Sequence, residues 1–279
     1  MEKNKVLNQW HETKKIREGR DFCLMKYYEP NSYEIRNELS WITSTILRNC
    51  QTFTVPVVSD SSIREGFIKM MYVTDIKISN VGMLAIDRLI ECAIELHSLI
   101  RSKNPHMRTQ INEGEYTQYV ERFVQPRITI VNEYKKQGLS DEVVDWIVLQ
   151  IRKLHTPYFT IVHRDFRCRH LLDRKEGRPV LIDWEYSNIS DPAQDLAKLT
   201  HDGVVNLGFG FRDTLTRIVD SYSTGVKESA DELTERVFTF IPIITLEHLK
   251  SFILRKPKGY EREVKKDLLF IYEVYNAKN

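Results

Sequence analysis

Cysteine is scarce and scattered in this chain. Cys23, Cys50, Cys92 and Cys168 are the only four in 279 residues, and no two have the short spacing of a metal knuckle. That excludes a disulfide-built scaffold and predicts reduced thiols in a cytoplasmic protein. Cys168, inside a polar loop, is read as a small loop residue without a role. Long apolar runs are missing too. No stretch reaches membrane-spanning length, and the opening MEKNKVLNQW is charged, without an apolar signal core. Charge of one sign is not in excess: 41 Lys and Arg stand against 39 Asp and Glu, interspersed. Neither nucleic acid nor a membrane is therefore an expected partner. Glycine is thin at the amino terminus, where Gly19 is the only one before Lys26. Repeats and low-complexity segments are absent.

With 42% hydrophobic residues, the chain can bury the core of one large or two modest domains. One stretch, residues 160–199, carries most of the chemistry: TIVHRDFRCRHLLDRKEGRPVLIDWEYSNISDPAQDLAKL. An apolar strand signal over 158–162 runs into His163, Arg164 and Asp165. His170 follows, then Leu171 and Leu172. A turn at 174–178 with Gly177 leads to a second short apolar run, 179–182, which delivers Asp183, Trp184 and Glu185. Two short strands with polar residues at their ends make a rigid frame with reactive groups at its mouth. Phosphoryl transfer needs such a frame. One carboxylate takes or orients the acceptor's proton, and a second with a neutral partner holds Mg²⁺ on the nucleotide phosphates. Asp165 fits the first role; Asp183 and His170 fit the second.

This ordered set resembles the catalytic segment of the protein-kinase-like superfamily, and most of all its small-molecule branch, the aminoglycoside phosphotransferase and choline kinase family. There the loop runs His-x-Asp-x-x-x-x-Asn and the metal strand ends in Ile-Asp-x-Glu. The trailing Asp191-Pro192-Ala193-Gln194-Asp195-Leu196-Ala197 resembles the same branch. The resemblance implies an α+β, bilobal protein-kinase-like fold. A small β-rich N-lobe with one main helix would span 1–73, and a larger, mostly helical C-lobe 74–279. It implies a kinase using Mg²⁺ and ATP or GTP, with a hydroxyl-bearing small molecule as acceptor. His163 and Asp195 would brace the catalytic loop. The chain departs from the pattern at His170, which takes the place of the family's Asn. An imidazole is a softer ligand than an amide oxygen, so metal preference is the property this change bears on.

Upstream, residues 5–14 and 22–28 read as strands around a turn at Gly19. A helix is predicted over 33–49, with Ile35, Leu39, Ile42 and Ile46 on one face and Glu38 at its border. Lys26 and Glu38 resemble the kinase strand lysine and the helix glutamate that holds it. A glycine-rich turn over the phosphates is missing: the first strand is absent or very short, and Asn4 and Lys5 are candidates for part of the turn. Strands are expected over 52–58 and 63–73, the second leading to a hinge near residues 70–74, where Met70 or Met71 would line the base pocket. Both also fit as ordinary core.

Beyond the hinge the pattern is helical, over 82–100, 113–137 and 141–154, then 212–223, 230–240, 244–254 and 260–275. His97, on the apolar face of the first, reads as a satisfied core histidine. The acidic cluster at 228–235 and the basic cluster at 255–266 read as solvated helix faces. The alternatives are a kinase acting on a protein or a lipopolysaccharide-core sugar, and a pseudokinase binding module. Sequence leaves the acceptor, the choice between ATP and GTP and the oligomeric state open.

Overall fold

The structure is a computed structural model, which describes residues 5–7, 12–18, 21–71, 82–103, 138–154, 158–256 and 258–278. The chain forms two compact units. The first joins the amino-terminal part, through Val81, with His163–Asn188; the second holds Gly82–Val162 and Ile189–Asn279.

A five-stranded antiparallel sheet lies in the amino-terminal part of the first unit. Its strands are β1 (Lys5–Leu7), β2 (Glu12–Glu18), β3 (Asp21–Tyr27), β4 (Val58–Ser62) and β5 (Phe67–Met71), in the order β1-β2-β3-β5-β4. Lys26 of β3 is flanked by Thr13 of β2 and Ile68 of β5, so it stands in the middle of the sheet. The single strand expected over 5–14 is in fact two. Lys5 pairs with Lys14 inside β1 and so does not belong to a phosphate-covering turn. The β1–β2 connection is 8–11, outside the described residues, as are Asn4 and Gly19. Of the strands expected over 52–58 and 63–73, the first is displaced to 58–62, while the second forms within its expected range, over 67–71. Gly66, at φ 73°, makes the β4–β5 turn, and a Cβ there would stand 2.5 Å from the Tyr28 carbonyl oxygen, so only glycine fits.

Helix α1 (Tyr33–Ile42) buries Ile35, Glu38 and Ile42 along one face. The helix expected to reach residue 49 stops early. Ser44 is extended, and its hydroxyl accepts from the Ile46 amide to cap a separate short helix, α2 (Thr45–Arg48). The side chain competes with helix continuation and wins. A hairpin of β6 (Leu171–Leu172) and β7 (Val180–Leu181) completes the unit, and Thr54 joins it by a parallel bridge to Val180. The tight turn Trp184–Tyr186 after it packs against α1.

The second unit is helical: α3 (Met83–Lys103), α4 (Asp141–Lys153), α5 (Ala193–His201), α6 (Phe211–Val226), α7 (Ala230–Arg255) and α8 (Tyr260–Lys278). All nine residues of α5 are buried. Gly225 lets α6 approach α3, since a Cβ there would meet Ile94 at 2.5 Å. The two helices expected over 230–240 and 244–254 are one, with Pro242 inside. A proline costs a helix about 3 kcal/mol. Val237, Phe240 and Ile241 before it and Ile243, Leu246 and Leu249 after it are all buried, at roughly 1.5–3 kcal/mol for each large side chain. Burial therefore outweighs the break. The helix expected over 113–137 lies outside the described residues. No helix among the described residues is long and apolar enough to cross a membrane.

Candidate active site

Three carboxylates converge on one ammonium in the first unit. Lys26 Nζ lies 2.8 Å from Glu38 Oε2, 2.5 Å from Asp183 Oδ1 and 2.9 Å from Glu185 Oε2. The Lys26 and Glu38 side chains are nearly sealed from solvent. Burial alone would push the Lys26 ammonium down, but Glu38 and Asp183 hold it charged, well above its ordinary range. Burial raises the Glu38 carboxyl, and Asp183 and Glu185 add to that against the pull of Lys26. Glu38 also accepts a bond from the Tyr28 hydroxyl, and burial raises the Tyr28 phenol in turn. Successive odd or even residues of a strand share a face, which puts Tyr28 beside Lys26. Asn37, one position before Glu38, donates to the Glu185 and Ser187 carbonyls, both at 2.8 Å. Helix α1 is thus tied to the turn that carries Glu185.

The loop after β-strand residues 160–162 is organised by His163. The ring is fully buried, its Nε2–H donates to the Ile182 carbonyl at 2.9 Å, and its Nδ1 accepts from the Asp165 amide at 3.3 Å. One imidazole therefore ties the Asp165 loop to the strand that ends at Asp183. Arg164 (φ 66°) and Asp183 (φ 74°) both hold left-handed backbone, which aspartate tolerates better than most residues. Such strain persists where the surroundings over-determine it. Asp165 Oδ1 accepts from Arg167 Nε at 2.6 Å.

His170 joins the two aspartates. Its Nδ1 is 2.8 Å from the Asp165 carbonyl oxygen and 3.6 Å from Asp165 Oδ2, while its Nε2 is 3.4 Å from Asp183 Oδ2. Burial holds the imidazole below its ordinary value against the pull of both carboxylates, so it is neutral at pH 7. Burial would raise the Asp183 carboxyl, but the Lys26 ammonium brings it down to about 2. The Asp165 and Asp183 side chains keep 15% and 13% of their exposure, so neither is closed off from solvent.

Asp165, His170 and Asp183 thus place donor atoms within reach of one cation, and Glu38, Asp183 and Glu185 form an overlapping set. The second set already holds the Lys26 ammonium. The first fits a divalent ion: one ionised carboxylate and one neutral imidazole face each other.

Of the residues singled out from sequence, the structure brings together Lys26, Glu38, His163, Asp165, His170 and Asp183. Asp195 is buried in the second unit, bonded by His97 Nε2 at 3.1 Å. His97 also reaches the Tyr222 hydroxyl at 2.8 Å and is the core histidine expected. Met70 is buried in β5, while Met71 on the opposite face is 59% exposed; the hinge positions 72–74 lie outside the described residues. Cys168 is buried. Tyr28, Asn37, Arg167 and Glu185 were missed as site residues. The signals for two of them were in plain view: Tyr28 stands two positions from Lys26, and Glu185 closes the Ile-Asp-x-Glu run.

A family model described as the phosphotransferase enzyme family matches residues 11–228. Solved structures share the fold at low identity. The macrolide 2'-phosphotransferase of Brachybacterium faecium superposes with a TM-score of 0.65 at 10% identity, covering 96% of this chain and 91% of that one. The GDP complex of aminoglycoside 2'-phosphotransferase-IIIa gives 0.62 at 14%, covering 100% and 94%. The ethanolamine kinase of Plasmodium vivax gives 0.60 at 13%, covering 97% and 81%. No curated protein matches the chain in sequence. The protein-kinase-like architecture, with its sheet-rich first part and helical remainder, is common to these structures and this one.

Proposed function

Because the chain belongs to the phosphotransferase enzyme family, we propose that it transfers the γ-phosphoryl group of ATP or GTP to a hydroxyl of a small molecule. The observation that carries this reading is the cluster itself: Lys26 clamped to Glu38 and Asp183, with His170 linking Asp183 to Asp165. Asp165 takes or orients the proton of the acceptor hydroxyl. The hydroxyl oxygen attacks the γ-phosphorus, the bond to the β-phosphate oxygen breaks, and the nucleoside diphosphate leaves. Asp165 ends with the proton. Arg167 fixes one Asp165 oxygen. Lys26 contributes charge to the phosphates, and Glu38 and Glu185 hold its side chain. His163 and Asp195 act as positioning residues. When bound, Mg²⁺ or a related ion would neutralise charge on the phosphates, and His170 and Asp183 would hold it on this chain. Of Met70 and Met71, which point to opposite faces of β5, one lines the nucleotide side.

The neighbours lend support. One is a GDP complex, and the others are named for macrolides and ethanolamine, all small molecules. The test is a panel of hydroxylated small molecules, antibiotics included, offered with ATP and GTP. Asp165→Ala should lose transfer by a factor of at least about 10² while nucleotide affinity persists. Full turnover in that variant would refute the role of Asp165. Nucleotide binding by the wild type with no transfer to any acceptor would leave a binding module instead.

A further inference from the structure

Arg167 is a guanidinium with most of its donors unused. Its side chain keeps only 10% of its exposure. Nε donates to Asp165 Oδ1 at 2.6 Å, and among the described residues the two Nη groups donate to no protein atom. A cation this buried ordinarily has its donors paired, because leaving them unmet is costly. The backbone also holds the side chain in place. Arg167 is extended just before the tight turn Cys168–His170, and its carbonyl accepts from the His170 amide at 2.9 Å. The Nη edge is thus fixed by the turn on one side and by Asp165 on the other.

The surroundings of that edge say what it meets. His170 stands between the two aspartates, with Nδ1 3.6 Å from Asp165 Oδ2 and Nε2 3.4 Å from Asp183 Oδ2. Lys26 is on the Asp183 side, at 2.5 Å, and Arg167 is on the Asp165 side. The nucleotide phosphates have Lys26 and the divalent ion. The acceptor hydroxyl has Asp165 and, beside it, Arg167. The loop adds to the positive charge: His163–His170 carries Arg164, Arg167 and Arg169 against the single carboxylate of Asp165. Glu38 and Glu185 do not offset it, since both are buried against Lys26.

We infer that Arg167 binds an oxyanion carried by the acceptor, so that the substrate is a hydroxylated molecule with a carboxylate or phosphate near the reacting hydroxyl and not a polycation. The inference rests on the phosphotransferase reading above and deepens it by naming the class of acceptor. A guanidinium pairs with carboxylate and phosphate oxygens through N–H bonds of about 2.7–2.9 Å. One small molecule is then held at two points, its hydroxyl on Asp165 and its oxyanion on Arg167. A polycation would set its ammonium groups against a basic loop, and the like charges would disfavour it.

Calorimetric titration of inorganic phosphate into the full chain tests this without turnover. The protein is first saturated with Mg²⁺ and a β,γ-methylene ATP or GTP analogue, so that the positions of the nucleotide's own phosphates are filled. Wild type should bind phosphate saturably. Arg167→Gln should weaken that binding at least about tenfold and leave the affinity for the analogue within about twofold. Arg167→Lys should fall between the two, because it keeps the charge and loses the fork. Circular dichroism checks that both variants fold, and the wild-type titration needs no variant at all. Equal phosphate binding in wild type and Arg167→Gln, or none in wild type, would overturn the inference and leave the proposed function standing. A loss confined to analogue affinity would do the same, by putting Arg167 on the nucleotide, and so would a polycation as the best acceptor of the panel. Failure of wild type to bind the analogue at all would overturn both.

Discussion

Lys26 is where single side chains matter most. A buried ammonium is tolerable here because Glu38, Asp183 and Glu185 surround it with opposite charge. Lys26→Met would leave three carboxylates crowded in a buried space. We expect it to cost about 3–5 kcal/mol of stability, read as a lower urea midpoint, beyond any loss of activity. A midpoint unchanged from wild type would mean that the cluster does not depend on its lysine. Sequence could name Lys26, Glu38, Asp165, His170 and Asp183, because each stands at a fixed offset in a linear pattern. It could not show that Glu185 joins Lys26, or that Arg167 occupies one oxygen of Asp165. Those contacts depend on where side chains point once the backbone has turned, and the left-handed φ values of Arg164 and Asp183 do the turning.

At the scale of elements, a second polar knot fastens the helical unit. His201 of α5 reaches Asp267 Oδ1 of α8 at 2.9 Å, and His248 of α7 reaches Oδ2 at 2.8 Å. Burial pushes the His201 imidazole down to about 4 against the pull of Asp267. The Asp267 carboxyl is held below its ordinary value: burial would raise it, but its bonds to the two histidines win. His201 is thus neutral in the folded chain at a pH where the unfolded chain protonates it. Stability should be full above pH ~6.5 and fall as the pH drops toward 4, by roughly 3 kcal/mol for His201 alone. Asp267 adds its own loss only at lower pH, as its carboxyl protonates. Urea midpoints between pH 7.5 and 4.5 measure this, and His201→Asn should flatten the fall. Equal wild-type midpoints across that range would contradict the assignment.

The same scale shows why some elements were misread. Helices α3 and α6 were evident from apolar periodicity, which reports burial directly. The break at Ser44 and the displaced strand turn on capping and on one glycine at positive φ, both local choices that periodicity does not see. Pro242 shows the opposite case, where tertiary burial overrides a strong local breaker.

For the whole molecule, the informative fact is that the first unit is built from two distant stretches of chain. The Thr54 carbonyl accepts from the Leu181 amide and the Thr54 amide donates to the Pro179 carbonyl, both at 2.8 Å, while Lys26 reaches Asp183. Residues 170–185 should therefore open together with residues 21–42 as one cooperative group. Hydrogen exchange checks this. Lys26→Met should speed exchange in both stretches and leave α6 and α7 near wild-type protection. If exchange rises only around residue 26, the two stretches are not energetically joined.

What the sequence determined by itself was the chemistry: an ordered run from His163 to Asp195, a helical carboxy-terminal part, and a lysine and glutamate upstream. Those follow from residue identity and local spacing, which every stretch of chain carries within itself. Tertiary structure decided how the groups meet: three carboxylates on one ammonium, and an imidazole set between Asp165 and Asp183. Some of these contacts join residues more than a hundred positions apart, as Lys26 and Asp183 are. Local pattern cannot encode them, because burial and backbone closure fix them together.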